Sequence, residues 1–166
     1  FRTNGNKHVG KHSYQLETFD KPLITEAFHQ LRTSLLLSTA GGSPKTVLVT
    51  SGQPFEGKTI TSLNLAKSLA QLGSKVLLID ADLRCPKMHV INNVSNTQGL
   101  STLLTASNVD QELIDRTIQK DIEPNLDILP SGPKVPNPAK LFGSAEMRIL
   151  LEGLGAIYSH VVIDSP

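Results

Sequence analysis

An α/β fold, with a parallel β-sheet flanked by helices, is what this sequence predicts, and three observations predict it. Short apolar runs recur along the chain, as they do in parallel strands covered on both faces. Between them lie stretches with apolar residues at helical spacing, and this alternation implies right-handed strand–helix–strand crossovers. One junction also carries the pattern G-x-x-x-x-G-K-T, at home where a strand feeds a helix. A length of 166 residues, 39% hydrophobic and 19% charged, suits one soluble domain able to bury a sizeable core.

Taken in order, residues 1–19 are polar and glycine-containing and read as a linker or flexible segment, with the folded domain over residues 20–166. His8 and His12 are four apart, a metal-binding spacing on a helix, but the glycines around them weaken a helix and favour a tail. A helix is expected over 22–37, capped by Asp20 or a neighbour with Pro22 early in it. Ile24, Phe28, Leu31 and Leu35 give it an apolar face for the sheet edge, and Gly41-Gly42-Ser43-Pro44 ends it. Strands are expected at 46–50, 75–80, 126–129 and 160–164. The clearest helix covers 58–72, with Ile60, Leu63, Ala66, Leu69 and Ala70 inward and Gly73 stopping it. Weaker helical patterns cover 100–105, 111–119 and 144–154, and there is no internal repeat.

The chemistry concentrates in the loop between the first strand and the helix at 58. Gly52, Gln53, Pro54, Phe55, Glu56, Gly57, Lys58 and Thr59 form a phosphate-binding loop of the P-loop NTPase type. Its backbone N–H groups and the helix N-terminus face an anion, Lys58 reaches the β/γ-phosphates and the Thr59 hydroxyl is offered to Mg²⁺. Thr61, on the first turn of the helix, is grouped with the nucleotide-binding residues. The alternative is a glycine-rich turn with a surface lysine, which the flanking strand and helix disfavour.

Ligands of open α/β sheets sit at the carboxyl ends of the strands, and acids stand there: Asp80 and Asp82 after the strand at 75–80, Asp164 at the end of 160–164. A lone aspartate in such a place is usually a turn former. Two apolar strands ending in aspartate beside a phosphate loop point instead to Mg²⁺ and to activation of an attacking hydroxyl.

Composition narrows the partners. A formal net charge of +1, with no basic stripe or acidic tail, argues against a strongly electrostatic nucleic-acid or membrane binder. The single cysteine, Cys85, cannot close an internal disulfide and fits a reducing compartment, the cytoplasm. No apolar stretch is long enough to cross a bilayer, and no signal peptide is visible.

With those residues in place, the phosphate loop, Leu78-Ile-Asp-Ala-Asp-Leu-Arg84 and Ile163-Asp-Ser-Pro166 resemble Walker A, Walker A′ and Walker B of bacterial tyrosine kinases, the kinases of capsular and exopolysaccharide assembly. Glu26-Ala-Phe-His-Gln-Leu-Arg-Thr33 is similar to that family's helix before the first strand. Leu126-Asp-Ile-Leu-Pro-Ser-Gly-Pro133 with Pro136-Asn-Pro-Ala139 is similar to its proline-rich connection. The resemblance spans roughly residues 20–166. Septum-positioning and DNA-partitioning ATPases of the wider superfamily carry a second lysine just after the loop's first glycine, where Gln53 stands here.

The resemblance implies transfer of the γ-phosphoryl of ATP to tyrosine hydroxyls, with ATP and Mg²⁺ as cofactors. Lys58, Asp80 and Asp82 would be catalytic, Asp80 activating the acceptor hydroxyl; Thr59, Asp82 and Asp164 would hold the metal. Arg84 would either neutralise transition-state charge or pair with a neighbouring acid. A membrane-embedded polysaccharide copolymerase or activator segment is the implied partner, at the inner face of the membrane, with no nucleic acid involved. Self-association would run through Glu26 and Arg32, with His29 where the family has an arginine. The family's domain continues past Walker B to a tyrosine-rich tail, so the C-terminal part of the domain is expected beyond Pro166; the tyrosines here are Tyr14 and Tyr158. The alternatives are a partitioning-type ATPase, which hydrolyses ATP with water, and a nucleotide-binding regulator that has lost transfer.

Overall fold

The computed structural model describes residues 21–38, 42–53 and 56–166; the linker expected over 1–19, with His8, His12 and Tyr14, lies outside the described residues, as do the Asp20 cap, Pro54 and Phe55. Helix α1 (Lys21–Leu37) is followed by β1 (Thr46–Val49), α2 (Lys58–Ala70) and β2 (Val76–Asp80). Two short helices follow, α3 (Met88–Ile91) and α4 (Leu100–Thr105), then α5 (Gln111–Thr117), β3 (Gln119–Glu123) and β4 (Leu126–Leu129). The last elements are α6 (Pro138–Phe142), α7 (Ala145–Ile157) and β5 (His160–Asp164). The sheet order is β1-β5-β2-β4-β3.

The four strands expected from apolar runs are the four that pair in parallel. Because successive strand residues point to opposite faces, the sheet divides its side chains between two cores. Leu77, Ile79, Leu129, Val161 and Ile163 face α4, α5 and α7. Val76, Leu78, Leu126, Ile128 and Val162 face α2, with Phe28, Leu35 and Leu36 of α1 packed behind. All five residues of β2 and of β5 are buried. This explains their unbroken apolar runs.

Three expectations need correction. The sheet is not wholly parallel: α5 stops at Thr117, and residues 119–123 form the antiparallel edge strand β3, joined to β4 by the two residues Pro124 and Asn125. Gln-Lys-Asp-Ile-Glu is too polar to announce a strand, which an outer position tolerates. Asn125 turns the hairpin with φ +65, a conformation that asparagine accepts more readily than most residues. Second, α1 lies on α2, not directly on the sheet edge: Arg32 Nη1 donates to the Ser68 carbonyl at 2.7 Å and Ile24 and Leu31 remain 40% exposed. Third, α7 runs three residues past the expected end at 154, and Ser144 is its N-cap, accepting the Met147 N–H at 3.2 Å.

Candidate functional site

The phosphate loop leaves β1 and returns as α2, so its two ends are fixed by the sheet and by a buried helix. Gly57 caps α2 with φ +84, the left-handed region that a Cβ makes costly. Gly52 carries no such demand: its φ is not positive and a Cβ there would meet no protein atom within 4 Å. Lys58 is half-buried, and its Nζ donates to Ser51 Oγ at 2.8 Å. Ser51 Oγ in turn donates to the Gln53 carbonyl at 2.8 Å, and the Gln53 N–H donates to Glu56 Oε2 at 3.1 Å. Thr61 is half-buried on the first turn of α2, its N–H bonded to the Gly57 carbonyl at 2.9 Å.

Parallel register places the acids beside this loop. Val49 is level with Asp164, and Asp164 with Asp80, so the carboxyl ends of β1, β5 and β2 form one row. Asp164 is 1% exposed and accepts the Ser62 hydroxyl at 3.1 Å, with the Thr59 hydroxyl close enough to lower its pKa. Burial raises its pKa, the two hydroxyls and Lys58 oppose that, and Asp82 adds to the rise. Thr59 and Asp164, both expected at the metal, are thus brought together.

Asp80 is fully buried, with Oδ1 accepting the Asp82 N–H and Oδ2 the Met88 N–H, each at 3.2 Å. Its pKa is pushed up to about 7, chiefly by burial; the Met88 N–H works against this, and the negative charge of Asp164 works with it. Asp82 is half-exposed and folds its own loop, its Oδ1 accepting from the N–H groups of Arg84 at 3.2 Å and Cys85 at 2.9 Å. Arg84 and Cys85 are exposed.

These residues fit a magnesium nucleotide in a particular way. Among the described residues no three His, Cys, Asp or Glu side chains form a cluster able to hold a metal by themselves. Mg²⁺ in phosphate sites takes one or two carboxylates and completes its shell with phosphate oxygens and water. A threonine hydroxyl beside a buried aspartate, at the mouth of a phosphate loop, is that donor set. Two acids level on neighbouring strands also repel each other, and a cation relieves this.

Ser51 and Ser62 escaped the sequence reading. Ser62 lies on the buried stripe of α2 one turn after Lys58, whose carbonyl it also meets at 2.9 Å; a serine inside an apolar stripe is the signal that marks it. Tyr158, the tyrosine within the described residues, is 4% exposed and its hydroxyl donates to Asp127 Oδ2 at 2.7 Å, so it is a packing residue.

The comparisons with known proteins agree with this geometry. The AAA domain family matches residues 52–166. The tyrosine-protein kinase YwqD of Bacillus subtilis is 42% identical over 149 residues, covering 90% of this chain and 61% of its own length. The chain therefore spans about three-fifths of that relative. The solved kinase domain of Escherichia coli tyrosine kinase ETK superposes with a TM-score of 0.79 at 36% identity, covering 89% of this chain and 57% of that one. A septum site-determining protein MinD from Pyrococcus horikoshii, solved with Mg-ADP, has a TM-score of 0.59 at 23% identity over 74% of this chain and 49% of its own, a likeness of fold alone.

Proposed function

Since this chain belongs to the AAA domain family and, within it, to the bacterial tyrosine kinases, we propose that it binds Mg-ATP at the loop of Gly52, Gln53, Pro54, Phe55, Glu56, Gly57, Lys58 and Thr59 and transfers the γ-phosphoryl group to tyrosine hydroxyls. The observation that carries this reading is the buried Asp164, bonded to Ser62 of α2 and level with Asp80, beside a lysine-bearing loop. Thr59, Asp82 and Asp164 would hold Mg²⁺, which when bound neutralises phosphate charge. Lys58 orients the β/γ-phosphates, and the N-terminus of α2 adds positive potential. Asp80, titrating near neutrality, takes the proton of the acceptor hydroxyl.

The wider setting rests on the family. The acceptor tyrosines lie in a segment outside this sequence, and the activator is a membrane polysaccharide copolymerase or its cytoplasmic segment, which places the kinase at the inner face of the membrane. Among the described residues no helix is long and apolar enough to cross a bilayer. Glu26, 63% exposed at its side chain, and Arg32 support a homo-oligomer, Arg32 through the donors left after its bond to Ser68. A partitioning-type ATPase is disfavoured by Gln53 in place of the second lysine and by the weaker likeness to MinD.

The test is mass spectrometry of the intact protein incubated with Mg-ATP and its activator. Phosphotyrosine is expected, with transfer slowed about a hundredfold or more by Asp80→Asn or Asp82→Asn. Bound ATP that yields only free phosphate would replace the kinase with the hydrolase.

A further inference from the structure

We propose that Ser51 is the positioning residue of the nucleotide site: its hydroxyl fixes the Lys58 ammonium across the loop and draws the Gln53 carbonyl out of the path of the phosphates. The inference rests on the nucleotide-binding reading and adds to it a residue outside the G-x-x-x-x-G-K-T pattern. A hydroxyl has one proton to give and two lone pairs to receive. Ser51 gives its proton to the Gln53 carbonyl at 2.8 Å and receives from Lys58 Nζ at 2.8 Å. One hydroxyl thus joins the residue before the loop, the second residue of the loop and the lysine that opens α2. The Lys58 side chain, half-buried, spends one of three N–H bonds on Ser51 and keeps the other two for anionic oxygens.

The Gln53 peptide explains why the carbonyl matters. Its N–H already binds an anionic oxygen, Glu56 Oε2, at 3.1 Å, the polarity a phosphate cradle needs. Were its carbonyl turned the same way, a partial negative charge would face the phosphates. Ser51 holds it aside. Loss of the hydroxyl therefore removes one anchor of a charged donor and frees a repulsive dipole. A loss of about tenfold in affinity corresponds to ~1.4 kcal/mol.

The experiment measures Mg-ATP affinity by calorimetry on the intact protein and its Ser51→Ala, Ser51→Thr, Lys58→Met and Ser51→Ala/Lys58→Met variants, with circular dichroism as a check on folding. Ser51→Ala is expected to weaken Mg-ATP binding about tenfold, Ser51→Thr to restore it to within about threefold, and Ser51→Ala to cost clearly less once Lys58 is Met, where only its hold on the Gln53 carbonyl remains to be lost. A general loosening of the loop would weaken binding equally in both backgrounds, which overturns the proposal. Wild-type affinity in Ser51→Ala overturns it too, while leaving the nucleotide reading intact. A wild type that does not bind Mg-ATP overturns the nucleotide reading itself and this inference with it.

Discussion

Asp80 is the residue at which the proposed function and stability oppose each other. Its ordinary pKa of 3.8 is pushed to about 7 in the fold, burial being the main cause. The sign follows from proton binding: between those two values the folded state holds a proton that the unfolded state has lost, so stability falls as pH rises through this window. In protein free of metal, this residue alone costs on the order of 4 kcal/mol on going from pH ~4 to pH ~7, at ~1.36 kcal/mol per pH unit. Asp80→Asn removes the charge and keeps the shape. Urea unfolding at pH 8 is expected to find the variant more stable than the wild type, although transfer is lost; a variant less stable at pH 8 and equal at pH 4 would contradict the assignment. A proton acceptor near neutrality also makes transfer rise with pH through about 7 in the wild type.

At the scale of elements, two junctions decide whether the site is held. One is α1 against α2. Arg32 Nη1 bonds the Ser68 carbonyl at 2.7 Å, while Glu26 points to solvent. Arg32→Ala should therefore lower stability, by about 1–2 kcal/mol in denaturant titration, whereas Glu26→Ala should leave it within about 0.5 kcal/mol. Glu26 is thus the cleaner probe of self-association, read by light scattering. The other junction is the entry to α4, where the Leu100 N–H meets the Pro130 carbonyl at 2.7 Å and the Ser101 N–H meets the Ser131 carbonyl at 2.9 Å. Gly99 sits so close that a Cβ would lie 2.1 Å from the Gly132 nitrogen and 2.3 Å from the Pro130 oxygen, both backbone atoms. Gly99→Ala should cost about 3 kcal/mol or more, seen as a lower thermal midpoint.

For the whole molecule, the phosphate loop joins β1, which among the described residues pairs with β5, to a helix buried in the second core. A ligand that bridges the loop and the Asp164 end of β5 therefore ties β1, α2 and β5 together. Saturation with Mg-ATP at a hundredfold excess over Kd should stabilise the fold by about 2.7 kcal/mol. Differential scanning calorimetry should show the midpoint rising with nucleotide for the wild type and staying nearly constant for Lys58→Met.

The sequence by itself determined the parallel strands, the helix after the phosphate loop and the identity of the loop, because burial on both faces demands unbroken apolar runs and phosphate binding demands glycine, lysine and a hydroxyl at fixed spacing. It also marked Asp80, Asp82 and Asp164 as strand-end acids. What it left open was decided by neighbours distant in the chain. Only the β2–β5 register sets Asp80 level with Asp164, and only burial there brings the Asp80 pKa to about 7. Edge strand β3 was illegible because an outer polar strand has no apolar pattern to read. That Arg32 also ties α1 to α2 could be seen only once α2 brought the Ser68 carbonyl to it. Ser51 carried no signal, since a serine after a strand is ordinary until the loop folds back and sets Lys58 upon it. Short-range patterns fix which elements form; hydrogen bonds and burial across the fold fix what each side chain does.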